Sequence, residues 1–168
     1  EEDFLLINKP VGVSIHPSDS EKSTETVVNY LVHKFGEDFS ETFEEGTVRP
    51  GIVHRLDKVT SGALLIAKNV ETLRSFQSAW HSDTEKIYYA VVKGTTPVRG
   101  SIKASIMRDP QNRQRMMVSD SEKARPAHTD FKRVAQTQDC KYSLLEVKIF
   151  TGRTHQVRVH LSAIGFAI

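Results

Sequence analysis

The chain is poor in cysteine: its 168 residues hold one, Cys140. A lone thiol excludes an internal disulfide and a cysteine-based zinc site, and it fits a reducing compartment. Cys140 itself is expected as a small residue at a strand edge. No run of about eighteen apolar residues occurs, so a membrane-spanning helix is not expected. The opening Glu1-Glu2-Asp3 has the wrong charge for a secretory leader. These absences point to a soluble, cytoplasmic protein. Also missing are a glycine-rich phosphate loop ending in Gly-Lys-Ser/Thr, a dinucleotide fingerprint, a His-Glu-x-x-His pair, internal repeats and low-complexity tracts. The seven histidines are scattered. His155 and His160, five apart, do not share a helical face well enough to bind one metal, so no metal site is expected.

What is present is unevenly placed. The net charge of +2 hides eleven acids against three bases in residues 1–47, and twenty bases against ten acids in 48–168. A positive face of that kind draws a polyanion by counterion release and steers its approach, and nucleic acid is the natural candidate. Lopsided surfaces also occur without a partner, so the motifs must carry the argument. The length allows one domain, or a domain with two lobes, burying roughly two thirds of its unfolded surface.

In chain order, Phe4-Leu-Leu-Ile7 reads as a strand and Val13 to His16 as a short second one. Ser23 or Thr24 can cap a helix from Glu25 to Phe35, which Gly36 stops. The acidic stretch Glu37 to Glu45 is expected as an exposed loop. Asn69 caps a second helix to about Trp80, with Leu73, Phe76 and Trp80 facing the core. Lys86 to Gly94 is a dense strand, with Tyr88, Ala90 and Val92 on one side and Tyr89 and Val91 on the other. Gly100 to Arg108 and Gln114 to Val118 read as a hairpin about Asp109-Pro-Gln-Asn112, with Arg108, Arg113 and Arg115 at its tip, where they suit backbone phosphates. Ala124 to Val134 and Tyr142 to Phe150 add two strands. After a turn at Gly152 a last helix carries Val157, Leu161 and Ile164 on one face and Val159 and Ala163 roughly opposite, the pattern of a helix covered on more than one side.

The stretch around which the rest is organised is Pro50 to Lys68. Ile52 and Val53 lead into His54-Arg55-Leu56-Asp57, Gly62 ends the excursion, and Ala63 to Ala67 is an unbroken apolar run expected as a strand buried on both faces. An acid and a base on a loop pinned by two strands is how a rigid scaffold presents chemistry. An isolated Arg-x-Asp is more often a solvated turn. This one is not isolated. Arg158, on the flank of the last helix, can reach inward, and a buried guanidinium needs a carboxylate such as Asp57.

Four segments in order, Asn8-Lys9-Pro10-x-Gly12, His54-Arg55-Leu56-Asp57 with Thr60-Ser61-Gly62, Lys86-x-Tyr88-x-Ala90-x-Val92-x-Gly94, and Gly152-Arg153-Thr154-His155-Gln156-Val157-Arg158-Val159-His160-Leu161, resemble the RluA-type pseudouridine synthases, which isomerise uridine within RNA. The resemblance spans Phe4 to Gly165. It implies an α+β fold, a mixed, mostly antiparallel sheet with flanking helices and a basic cleft, forming a single catalytic domain over 1–168. It makes Asp57 the catalytic aspartate, Tyr88 the tyrosine beside the target base, Arg158 the partner of Asp57, and Arg55 the arginine that takes the place of the flipped nucleotide. His54, Arg153 and the hairpin arginines are then expected to contact RNA, either ribosomal or transfer RNA, and no cofactor is implied. The family usually continues beyond a segment like Gly165-Phe-Ala-Ile168 with Pro-Ile-x-Gly-Asp and further sheet, so a C-terminal portion is expected to be missing. Two rivals are a non-catalytic RNA-binding domain of the same fold and a hydrolase using Ser61. Ser61 lacks the sharp Gly-x-Ser-x-Gly elbow such a nucleophile needs.

Overall fold

The computed structural model describes residues 2–16, 25–36, 38–43, 49–80 and 82–168. They form two compact units that divide between Asp83 and Thr84, each built of antiparallel strands and helices.

In the first unit β1 (Phe4–Lys9) pairs antiparallel with β2 (Gly62–Ala67), in register from Phe4 opposite Ala67 to Lys9 opposite Gly62. Helix α1 (Val27–Phe35) buries Val27, Val28 and Leu31, one stripe at helical spacing. The Thr26 hydroxyl caps it by accepting from the Asn29 N–H at 3.2 Å. Ser23 and Thr24, the expected caps, lie outside the described residues. Gly36 ends the helix with φ 82°, as its lack of a side chain allows. Val13 to His16 is not a strand; its one ladder contact is a parallel bridge from Ser14 to Thr26.

The acidic segment differs from expectation. Asp38–Glu41 forms a short helical turn, α2, and Phe39 and Phe43 are buried while Asp38 and Glu41 face water. Phe35, Phe39 and Phe43 stand four apart, one above the other, with ring centroids 5.4 and 5.3 Å apart. Apolar spacing therefore outweighs the run of charge. Helix α3 (Val70–Ala79) is capped by Asn69, whose Oδ1 accepts from the Thr72 N–H at 2.8 Å. It is a covering helix with no fully buried residue, Leu73 resting on the core and Phe76 meeting Phe4 edge-on at 5.6 Å.

The second unit is a four-stranded antiparallel sheet in the order β3 (Lys86–Lys93), β8 (Tyr142–Ile149), β7 (His128–Gln136), β4 (Arg99–Lys103). The inner face gathers Ala90, Val92, Leu145, Val147, Phe131 and Ile102 under Leu161 of α4 (Gln156–Ala163). Tyr88 shares that face, whereas Ile87, Tyr89 and Val91 are exposed, as alternation along β3 requires. Gly100 lies beneath the Phe131 ring, and a Cβ there would stand 2.4 Å from it.

Three expectations change here. The strand expected from Gly100 to Arg108 breaks at Ala104-Ser105: β4 stays with β7, while β5 (Ile106–Arg108) pairs with β6 (Met116–Val118) in a separate hairpin. Cys140 occupies the β7–β8 turn, exposed and at φ 59°, rather than a strand edge. Helix α4 buries Gln156, His160 and Leu161 but exposes Ala163 and Ile164, so it is covered on one side, by a stripe that is largely polar.

Candidate active site

The loop carrying Asp57 starts beside β2. The Ala67 N–H donates to the Gly51 carbonyl at 2.8 Å, and Ile52 bridges Ile66. Gly51 is required at this approach: its φ is 69°, and a Cβ would lie 2.4 Å from the Ala67 carbonyl oxygen. From Val53 the chain leaves the sheet. Leu56 is buried and roots the loop, Asp57 is half-buried, and Arg55 is exposed. Asp57 opens a tight turn closed by the Thr60 N–H on its carbonyl at 3.0 Å.

The loop is held on both sides of Asp57. Before it, Nε2 of His54 accepts from the Leu65 N–H at 3.0 Å, and the ring stacks on Trp80 with centroids 4.1 Å apart and planes 17° apart. After it, the Lys58 carbonyl accepts from the Gly12 N–H at 2.8 Å and from Nζ of Lys9 at 3.4 Å. Lys9 is 1% exposed, and its ammonium also donates to the carbonyls of Pro10 and Val13, both at 2.9 Å. Burial lowers the Lys9 pKa from its ordinary value, and the Asp57 carboxylate acts against that shift. A buried cation thus braces the loop just beyond Asp57.

In the second unit, Tyr88 of β3 and Val157 of α4 pack against the same core. Arg158, one residue on, is exposed. The helix is fastened by hydrogen bonds rather than by apolar contact alone. Gln156 accepts from the Thr151 hydroxyl at 2.7 Å and the Arg153 N–H at 3.0 Å, and donates to the His128 carbonyl and Thr129 Oγ1, both at 3.0 Å. His160, fully buried, meets Thr129 Oγ1 through Nδ1 at 2.9 Å and the Ala104 carbonyl through Nε2 at 3.0 Å. A carbonyl can only accept, so Nε2 carries the proton and a neutral ring leaves Nδ1 to accept from Thr129. Desolvation lowers the His160 pKa, with the Ala104 bond opposing and His128 adding to the effect. Arg153 is half tied down, its Nε donating to the Pro126 carbonyl at 3.1 Å.

The hairpin arginines lie where expected. Arg108, Arg113 and Arg115 are exposed around a turn built by Asp109, whose Oδ1 accepts from the N–H groups of Gln111 at 2.8 Å and Asn112 at 3.3 Å. Arg108 also donates to the Arg113 carbonyl. On the outer sheet face Ser101, His128 and Asp130 meet, but both Ser101 Oγ, at 3.1 Å, and Asp130 Oδ1, at 2.9 Å, approach the same Nε2. A proton relay needs the two partners on different ring nitrogens, so this group is not a hydrolytic triad. Among the described residues no group of His, Cys, Asp and Glu is placed to hold a metal ion, and no helix is long and apolar enough to cross a membrane.

Residues 3–163 match the family model described as RNA pseudouridylate synthase. The chain belongs to this family. The RluA-type resemblance is thereby borne out. Among curated relatives, the ribosomal large subunit pseudouridine synthase D of Borreliella burgdorferi is 41% identical over 170 residues, covering 100% of this chain and 51% of that protein. An uncharacterized RNA pseudouridine synthase of Chloroflexus aurantiacus is 43% identical over 162 residues, covering 96% of this chain and 48% of that protein. The chain thus spans about half the length of the curated relatives it matches. Among solved structures, human RNA pseudouridylate synthase domain containing 1 superposes with a TM-score of 0.75 at 28% identity, covering 99% of this chain and 64% of that one.

Within the family motifs, two residues have jobs that sequence did not reveal. Lys9 is a buried brace, and the available signal is a charged residue closing a mostly apolar strand just before Pro10. His54, expected to contact RNA, has its Nε2 and one ring face engaged by the scaffold.

Proposed function

We propose that the chain is the catalytic core of an RNA pseudouridine synthase, isomerising specific uridines of ribosomal or transfer RNA in the cytoplasm through Asp57. The observation that carries this reading is the presentation of Asp57 on a loop fixed from both sides within a chain of this family. The reaction breaks the bond from C1′ of the ribose to N1 of uracil, turns the base, and joins C1′ to C5, with the C5 proton lost and one gained at N1. Atoms and electrons balance, so no cofactor is called for. An ionised carboxylate can attack the sugar or the base, or take a sugar proton, and each route needs it aimed and charged. Lys9 braces the loop that aims it.

By the family resemblance, the two units serve as one domain. Tyr88 offers a flat face to the uracil and Arg158 pairs with Asp57. Extruding a base costs a few kcal/mol, less in a loop or bulge. Arg55, exposed beside Asp57, offsets part of this by stacking its planar guanidinium in the vacated space. Arg153 and the exposed hairpin arginines hold phosphates and set register.

The test is pseudouridine mapping in total RNA from cells lacking the whole protein, complemented with wild type or with Asp57→Asn. Sites lost and restored only by wild type are the expected result. Restoration by both proteins would remove Asp57 from the chemistry, and no change at any site would favour RNA binding without turnover.

A further inference from the structure

The edge of β2 facing away from β1 is used in an unusual way. Antiparallel pairing exposes alternate N–H groups on one edge, here those of Ala67 and Leu65. Ala67 finds a main-chain acceptor, the Gly51 carbonyl at 2.8 Å, and Ile52 continues the alignment opposite Ile66. A ladder that went on would bring another carbonyl to Leu65. A side chain takes that place, since Nε2 of His54 accepts from the Leu65 N–H at 3.0 Å. The imidazole therefore closes the ladder, and the main chain is released from the sheet three residues before Asp57. Stacking of the ring on Trp80, 4.1 Å between centroids at 17°, fixes its plane while Nε2 faces the Leu65 N–H.

We propose that His54 is a positioning residue for Asp57: an imidazole acceptor standing in for a backbone carbonyl at the edge of β2 and clamped by Trp80, which sets the angle at which residues 54–57 leave the sheet. The inference rests on Asp57 being the reacting carboxylate. It reassigns His54 from RNA contact to loop geometry. A reacting group displaced by about 1 Å loses on the order of 100-fold in rate, whereas RNA affinity resides in contacts made elsewhere.

The acceptor requirement separates this role from its rivals. Gln carries Oε1 the same number of bonds from Cβ as Nε2 of histidine and accepts as that nitrogen does. Lys restores a positive charge for phosphate but can only donate. The experiment measures turnover and KM of the whole protein, with Ala, Gln and Lys at position 54, on a transcript carrying a uridine found modified in the mapping above. His54→Ala is expected to lower kcat by roughly 10- to 100-fold with KM within about 3-fold of wild type. His54→Gln should recover kcat to within about 5-fold, and His54→Lys should resemble alanine. If lysine rescues as well as glutamine, or if the loss falls in KM, the residue contacts RNA and the proposal is overturned. Should the alanine protein fail to fold, the comparison of glutamine with lysine decides alone. Asp57→Asn measured in parallel keeps the two readings apart. Wild-type turnover there defeats the role of Asp57 itself, while an inactive Asp57→Asn beside a fully active His54→Ala defeats the positioning role only.

Discussion

Replacing Gln156 with leucine tests whether hydrogen bonds, rather than shape, hold α4 on its sheet. Gln156 is 3% exposed and makes four bonds, two as acceptor and two as donor. Leucine fills a similar volume and makes none. Of the four partners, the Thr129 hydroxyl still meets His160, the Thr151 hydroxyl still accepts from the His128 N–H at 3.0 Å, and the His128 carbonyl still accepts from the Phe150 N–H at 3.1 Å. The Arg153 N–H loses the side-chain acceptor it has. One stranded donor costs about 1–3 kcal/mol, and three further bonds about 0.5–1.5 kcal/mol each. The added apolar burial returns about 1–2 kcal/mol. The net loss is about 3 kcal/mol, which for a protein of this size lowers the thermal midpoint by about 6–12 °C. Differential scanning calorimetry on wild type, Gln156→Leu and Gln156→Glu measures it. Glutamate keeps the shape and both acceptor contacts but turns an acceptor toward the His128 carbonyl, so it should be no more stable than leucine at neutral pH. A Gln156→Glu or Gln156→Leu protein with a wild-type midpoint would refute the reasoning.

Further expectations concern the other buried polar groups. Lys9→Met takes the ammonium from three carbonyls, and should cost about 1–3 kcal/mol of stability and, by loosening the loop beyond Asp57, lower pseudouridine formation; an unchanged urea midpoint would count against the brace. His160 is held neutral in the fold with its pKa lowered, whereas the unfolded chain takes up a proton near the ordinary value of about 6.5. Its contribution is therefore full above that pH and declines as pH falls below it, at a limiting slope of about 1.4 kcal/mol per pH unit. Urea titrations at successive pH values between 7.5 and 5 should show this decline in wild type and a flatter profile in His160→Gln.

Much of this architecture is legible in the sequence because one-sided burial leaves a period. The stripe of Val27, Val28 and Leu31, the alternation from Ile87 to Val92, and the Asn69 cap are each local signals of that kind. What period and composition conceal is polar burial. Lys9, Gln156 and His160 look like surface residues, and their burial becomes affordable only through partners far along the chain, such as Ala104 for His160. The break at Ala104-Ser105 is equally silent. Ile106 exchanges both main-chain bonds with Arg125, each at 2.9 Å, which turns β5 out of the line of β4. In the acidic segment, charge masked the spacing of Phe35, Phe39 and Phe43. The motif around Asp57 marks where the loop is, but the devices that aim it, an imidazole on a sheet edge and an ammonium among carbonyls, have no periodic trace.

The position of β8 in its sheet has a consequence for how the second unit is made. Of the four strands of this sheet β3 is the first to leave the ribosome, yet its partner β8 is the fourth, with Lys93 opposite Tyr142 and Lys86 opposite Ile149. At roughly 5–20 residues per second, the intervening stretch takes on the order of 2–10 s to emerge. During that interval Ile87-Tyr-Tyr-Ala-Val-Val92, a segment dense in β-formers and without charge or proline, has no strand to pair with. This segment is thus exposed to misassociation between the synthesis of β3 and that of β8, and Lys86 and Lys93, flanking it, are placed to discourage it.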